Sequence, residues 1–487
     1  MRTIIVGTLP GLLIGLIIYA LVPGDAYAQA PVLAGIMGLM AAWWVQDVVP
    51  IPITSLLPIF LFPIFGLMNV DDVSVFYGRP IIFLFLGGFI LALGLQESEV
   101  HKRIALKTVS IIGTNSRKLI LGFMLVTGFL SMWISNTAST MVMLPIGLSV
   151  IQSISGEDEK GSLDRFGLCL MLGIAYGSNI GGMATLIGTP PNLIFLELYH
   201  QLFPDRPEIG FTDWMILGFP LSVTFLLSGW YILTRFIFHI PKSSLKGGGE
   251  TVHEQLKALG SIRKDEVRTS VVFAIAALLW ITGSDIQISD DLIIHGWRSL
   301  LGLKMVSDPA IAVLTACLLF VIPSDKEGKH ALLKWSATKE LPWGILLLFG
   351  GGFALAGGFE SSGLGHLVES LFTNLPAWPP LLIMALVCVF VTFQTEITSN
   401  SAVVTLILPI LASGATVFGI DPRLLMIPAT LSASCAFMMP IATPPQAIIY
   451  GSGYVTVRQM MKAGIWFNLL GLALTIGLFS VISYLIW

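Results

Sequence analysis

The sequence predicts an all-α polytopic membrane protein, and three observations carry that expectation. Of 487 residues, 55% are hydrophobic and 11% charged, where a soluble domain carries about 25% charged residues. Mean hydropathy is +0.86. The apolar stretches are long enough for about ten or more spans of ~20 residues each, and they run on without the period-2 alternation of a membrane β-barrel. This composition excludes a soluble enzyme, a nucleic-acid binder, a disordered regulator and a secreted disulfide scaffold.

Bulk charge adds little. A net charge of −3 and a pI near 6.2 favour no polyanionic partner. Cys169, Cys317, Cys388 and Cys435 lie in apolar stretches with no CxxC spacing, so they read as small buried hydrophobes. At the start, Arg2 precedes an apolar run to Val22, followed by Ala28-Gln29-Ala30. The run is long for a signal peptide and its basic region is a single Arg, so it reads as a retained first span.

Apolar spans fall at about 3–22, 31–49, 51–67, 80–100, 165–183, 190–203, 212–240, 269–284, 306–323, 341–360, 424–439, 445–457 and 463–486. Two further segments, 119–152 and 380–417, exceed one span and are broken midway by polar residues. That pattern predicts re-entrant hairpins, whose non-helical backbone is tolerated where it lines a cavity. With a cytoplasmic N-terminus, and the hairpins entering from opposite sides, all basic residues except Arg79, Arg206, Arg298, Lys304 and Arg423 fall on the cytoplasmic face, the usual positive-inside bias. The loop 241–268, with Gly247-Gly248-Gly249, reads as a linker between halves.

The halves repeat. Phe85-Leu86-Gly87-Gly88-Phe89 aligns with Phe349-Gly350-Gly351-Gly352-Phe353 at an offset of 264, as do Ser135-Asn136-Thr137-Ala138 with Ser399-Asn400-Ser401-Ala402, and Pro145 with Pro409. Gly188-Thr189-Pro190-Pro191-Asn192 aligns with Ala442-Thr443-Pro444-Pro445-Gln446 at an offset of 254. The difference is absorbed by a shorter loop in the second half. Hairpins on opposite faces imply an inverted repeat, the plan of many secondary transporters. The expected division is 1–79 for N-terminal helices, 80–240 for a first repeat (hairpin 119–152, unwound helix at 188–192), 241–268 for a cytoplasmic linker, and 269–487 for a second repeat (hairpin 380–417, unwound helix at 442–446).

These motifs place polar breaks in hydrocarbon. Small polar residues at a hairpin tip cap the next helix and leave carbonyls free. Thr-Pro-Pro ends one half-helix and starts another, with Thr at the N-cap and Pro at the first helical position. Four helix N-termini result, each with unpaired N–H groups and partial positive charge. Nearby hydroxyls and unwound carbonyls suit a hard cation such as Na⁺. No Lys, Arg or His lies in the four motifs. An anion bound there depends on amides, hydroxyls, helix ends and co-bound cations.

These residues resemble the divalent anion/sodium symporter (DASS) family, which carries paired Ser-Asn-Thr tips and paired Thr/Ser-Pro-Pro breaks. The stretch from Trp43-Trp44 to Pro50-Ile51-Pro52-Ile53-Thr54 is similar to a segment near that family's N-terminus, and the likeness spans about 31–457. It implies an inverted-repeat elevator-type transporter with about 11 transmembrane helices, two re-entrant hairpins and a transport domain moving against scaffold helices that include 1–79. It implies a homodimer in the cell membrane. It also implies a first Na⁺ site of Ser131, Ser135, Asn136 and Gly188, and a second of Thr395, Thr398, Asn400 and Ala442. Substrate carboxylates would meet Asn136, Thr137, Thr189, Asn400, Ser401, Thr443 and Pro444. Ser401 stands where the family usually has Thr, and Gln446 where half one has Asn192.

Glu396, four residues before Asn400, is an ionisable group in hydrocarbon. It reads either as a tuner of the second cation site or as a structural hydrogen-bond anchor. Asp47 reads as a cap or interfacial residue, and Glu97 to Arg103 as a solvated helix end. The seven histidines form no ligand spacing. No catalytic dyad and no continuous hydrophilic path is visible, so neither an enzyme nor a channel is expected, nor any organic cofactor or nucleic-acid partner. The expected activity is Na⁺-coupled symport of C4-dicarboxylates (succinate, malate, fumarate). Its competitor is a dicarboxylate/citrate or sulfate antiporter of the same fold. Asn136→Ala and Asn400→Ala are each expected to abolish uptake while the purified protein stays monodisperse, because both remove site ligands and no core packing. Wild-type uptake rates in both variants would refute the assignment.

Overall fold

A computed structural model of the chain describes residues 2–46, 48–112, 115–154, 160–242, 248–289, 292–325, 330–373, 376 and 378–486. The expectations for Asp47, Gly247 and residues 156–159 of the 156–165 loop lie outside the described residues.

The described chain is mostly helical. The N-terminal elements are α1 (Arg2–Leu21), α2 (Ala30–Gln46), α3 (Ile51–Thr54), α4 (Leu57–Ile64) and α5 (Val70–Phe76). Then follow α6 (Pro80–Glu97), α7 (Val100–Ile112), α8 (Ser116–Ser131), α9 (Asn136–Ile154), α10 (Lys160–Gly182), α11 (Pro190–Leu202) and α12 (Phe211–Tyr231). A middle section holds α13 (Gly248–Ala258), α14 (Lys264–Ile281), the antiparallel pair β1 (Ile286–Ser289) and β2 (Leu292–Ile294), α15 (Trp297–Leu300) and α16 (Asp308–Val321). The last part holds α17 (Trp343–Ser361), α18 (Leu364–Thr373), α19 (Pro380–Gln394), α20 (Asn400–Val417), α21 (Arg423–Ala433), α22 (Pro444–Gly451) and α23 (Val457–Ile486).

Local chemistry explains many of these boundaries. Proline opens α6, α11, α19 and α22 at the first helical position, where its missing N–H costs nothing. Asn69 and Asn115 cap α5 and α8 by accepting backbone N–H bonds with their side chains. The apolar stretch 51–67 is not one helix but α3 and α4. Pro50, Pro52, Pro58 and Pro63 punctuate it, and each proline withholds a backbone donor. Both long polar-centred segments break: 119–152 into α8 and α9, and 380–417 into α19 and α20. The stretch 424–439 stays helical only to Ala433, and 445–457 only to Gly451.

Among the described residues, five helices are long and apolar enough to cross a membrane by length and composition: Pro80–Glu97, Phe211–Ile237, Trp343–Ser361, Asn400–Val417 and Val457–Val481. The remaining apolar helices are shorter, and the breaks end two of them, Pro380–Gln394 and Arg423–Ala433.

Two cores hold the helices together. The larger spans α6 to α12, α14, α16, α17 and α19 to α23. The smaller joins α2, α4, α5, α17 and α20 through Leu33, Met40, Trp44, Phe62, Val73, Leu355 and Ala402. The tightest helix contact in the larger core is a glycine seam. Gly173, Gly177 and Gly181, one per turn of α10, face Met124 and Gly128 of α8. Small residues at this spacing let helix backbones approach closely, the usual route to packing in lipid. A methyl at Gly181 would overlap the backbone of Gly128.

Gly181→Ala is therefore expected to destabilise the protein by about 1–3 kcal/mol through overpacking. The check is the thermal unfolding midpoint of the purified protein, and an unchanged midpoint would refute the seam.

Candidate functional site

The two hairpin breaks and the two Thr-Pro-Pro breaks converge on one cavity of about 890 Å³. Its polar lining comes from Ser135, Asn136, Thr137, Thr189, Thr398, Ser399, Asn400, Ser401 and Thr443. Gly188, Ala442 and Pro444 also reach it. The opposite wall is apolar and belongs to other helices, with Trp44, Pro52, Phe89, Ile345 and Leu348 on it. Among the described residues, no Lys, Arg, His, Asp or Glu lines the cavity.

The hairpin tips are built alike. Ser131 Oγ donates to Asn136 Oδ1 at 2.6 Å, and Thr395 Oγ1 donates to Asn400 Oδ1 at 2.6 Å. The four residues keep the 264-residue offset. Ser131 and Thr395 are fully buried behind the cavity, not on its wall. Ser135 caps α9 by accepting from Ala138 N at 3.2 Å, whereas Ser399 makes no side-chain cap to α20.

The Thr-Pro-Pro breaks also match. Thr189 and Thr443 occupy the N-cap positions of α11 and α22 with extended backbone, yet neither side chain caps its helix. Thr443 Oγ1 instead donates to Gln446 Oε1. The amide after each Pro-Pro ties the new helix to the old one. Asn192 Nδ2 donates to Gly182 O at 3.1 Å and Thr185 O at 2.7 Å. Gln446 Nε2 donates to Ala436 O at 2.5 Å. Ala436 is the repeat equivalent of Gly182, so Gln446 performs the same tie as Asn192, one methylene longer.

The oxygen set fits a hard cation in the first half. A Cβ placed on Gly182 would lie 2.6 Å from Asn136 Oδ1 and 3.2 Å from Gly188 O. Those two oxygens therefore face one small gap kept open by a missing side chain, with Ser131 hydrogen-bonded to the same Oδ1. Amide, carbonyl and hydroxyl oxygens are the donor types that Na⁺ and other hard cations take.

Several contributors carried no motif signal. Asn179, in mid-α10, reaches into the second half: its Nδ2 donates to Thr443 Oγ1 at 3.1 Å and Gln446 Oε1 at 3.2 Å. Tyr176 OH donates to Phe437 O at 3.1 Å. Gly218 and Gly464 lie against the two breaks, at Met183 O and at the Phe437 and Met438 backbone respectively. A buried Asn, Tyr or Gly is common in membrane helices. Only its spatial neighbours mark it out, although Asn179 beside the glycine seam was a readable hint.

Comparison with known proteins places this architecture. The profile of the sodium:sulfate symporter transmembrane region matches residues 5–487. The chain is 38% identical over 481 residues to the sodium-dependent dicarboxylate transporter SdcS of Staphylococcus saprophyticus, covering 97% of this chain and 90% of that one. It is 40% identical over 474 residues to SdcS of Staphylococcus aureus, covering 95% and 89%. Among solved structures, the YdaH transporter of Alcanivorax borkumensis shares the fold with a TM-score of 0.55 at 15% identity, covering 85% of this chain and 87% of that one.

Two substitutions test the geometry. Asn192→Leu leaves Gly182 O and Thr185 O without their side-chain donor, at an expected cost of about 1–3 kcal/mol in unfolding free energy. Gly182→Ala fills the gap between Asn136 and Gly188. It is expected to reduce the Na⁺-dependent thermal stabilisation of the purified protein at saturating Na⁺, and stabilisation equal to wild type would show that no cation sits there.

Proposed function

We propose a function for a chain that belongs to the sodium:sulfate symporter family, the divalent anion/sodium symporters: Na⁺-coupled symport of C4-dicarboxylates such as succinate, malate and fumarate. The chain is a multi-pass membrane protein of that family. The observation that carries the substrate reading is the cavity where two matched pairs of breaks meet without a basic side chain.

A dicarboxylate has two negative ends, and the cavity has two matched tips. Asn136, Thr137 and Thr189 offer amide and hydroxyl donors to one end, and Asn400, Ser401 and Thr443 to the other. The N-termini of α9, α11, α20 and α22 add partial positive charge. These groups do not neutralise two carboxylates, so co-bound cations supply the rest. Na⁺ is held at one site by Ser131, Ser135, Asn136 and Gly188, and at the other by Thr395, Thr398, Asn400 and Ala442. Because Asn136 and Asn400 serve cation and anion together, each bound Na⁺ orders a donor for the substrate. That sharing is the coupling. The named activity of the SdcS relatives supports the same reading.

The division of the cavity walls supports an elevator. All polar lining sits on the segments with breaks, and the facing wall from α2, α3, α6 and α17 is apolar. A smooth apolar wall makes no directional bonds with the substrate, so the loaded half can slide along it. In this reading the repeat is inverted, the two breaks enter as re-entrant hairpins, and the protein works as a homodimer.

Proteoliposome uptake of labelled succinate tests the proposal. Uptake is expected to require an inward Na⁺ gradient and to fall at least tenfold when choline replaces Na⁺. Uptake that ignores Na⁺ and requires internal dicarboxylate would establish an exchanger instead.

A further inference from the structure

The halves differ at one point that their motifs do not reveal. In the first half, hairpin and break are joined by a neutral bond: Thr185 Oγ1 donates to Met132 O at 2.5 Å. Met183 N and Ala184 N are satisfied within their own turn by Ile180 O and Gly181 O. At the 264 offset, Met132 corresponds to Glu396. At the 254 offset, Thr185 corresponds to Met439, which has no hydroxyl to donate.

The second half solves the problem with a carboxyl group. Glu396 Oε1 accepts from Phe437 N at 2.8 Å and Met438 N at 2.9 Å. Its Oε2 accepts from Met438 N at 3.0 Å and Met439 N at 2.9 Å. Asn468 Nδ2 of α23 donates to Oε1 at 2.7 Å. Every one of these partners is a donor. Both carboxyl oxygens are thereby engaged by backbone N–H groups and one side-chain amide. Glu396 is 4% exposed, and among the described residues no Lys, Arg or His pairs with it.

An acidic side chain buried without a counter-ion is costly unless its oxygens are hydrogen-bonded, and here they are. Its chain neighbour Thr395 donates both to Asn400 Oδ1 and to Ala433 O at 3.0 Å. The segment 437–439 that Glu396 grips leads directly to Ala442 and Thr443. Glu396 thus touches both strands of backbone that build the second cation site, while its own oxygens are fully engaged elsewhere.

We propose that Glu396 is a positioning residue that makes the second cation site the tighter of the two, by fixing the 437–443 segment that builds it. The inference rests on the proposed Na⁺ coupling. The first break is held in the corresponding place by one hydroxyl bond, so the two sites fill in order, the second before the first.

The test is thermal unfolding of the purified full-length protein, without substrate, as Na⁺ replaces choline at constant ionic strength. Ligand bound only to the folded state raises the midpoint. In Glu396→Gln the Na⁺ concentration for half-maximal stabilisation is expected to rise at least tenfold. A half-maximal concentration within twofold of wild type overturns the inference, as does a loss of stability equal in Na⁺ and choline. Should that variant not fold, Asn468→Leu decides: it keeps the carboxyl group and removes one donor. The expected rise is about threefold, with the succinate KM at saturating Na⁺ unchanged, and no rise overturns the proposal. A wild-type protein that Na⁺ does not stabilise would sink the coupling itself, a result distinct from a failure of Glu396 alone.

Discussion

A helix that stops in the middle of a hydrocarbon layer leaves N–H and C=O groups with no water to bond, and each unmet group costs several kcal/mol. The whole architecture answers this constraint. Asn192 caps the freed carbonyls of Gly182 and Thr185, Gln446 caps that of Ala436, and Glu396 collects the N–H groups of 437–439. Once these bonds are made, the remaining oxygens and helix ends around the cavity are held open toward it. The breaks are thereby both a structural liability and the source of the site's chemistry.

The same constraint explains why the neighbouring helices pack so closely. A break is useful only if its position is held, and side chains alone do not hold it. The glycine seam of α10 against α8 brings the first break onto its hairpin, and Gly464 lets α23 lie directly on the second break. Tyr176, Phe225, Phe437 and Phe467 cluster around that second break, mostly edge to face, with ring centroids 4.5–6.1 Å apart. Asn179 and Tyr176 reach from one half into the other and tie α10 to the second break.

Duplication leaves room for divergence. The Ser131–Asn136 and Thr395–Asn400 bonds have the same length. The Asn192 and Gln446 ties fall on equivalent carbonyls. Yet the groups that lock each break to its hairpin differ, a Thr hydroxyl in one half and a carboxyl group in the other. Equivalent backbone needs admit more than one side-chain solution.

By itself the sequence determined the membrane class, the repeat and the four polar breaks. These follow from hydropathy, from identical blocks at fixed offsets, and from Pro and small polar residues, all of which act locally. The amides at 192 and 446 were legible as partners, but not the carbonyls they would reach. Tertiary structure alone decided that Gln446 reaches the carbonyl equivalent to one that Asn192 reaches, that Thr189 and Thr443 do not cap their helices, and that Asn179 serves the opposite half. It alone decided that Glu396 grips backbone 41 to 43 residues away. A side chain's role in a broken helix depends on which orphaned backbone group lies within about 3 Å of it, and that distance is a property of packing between helices remote in the chain.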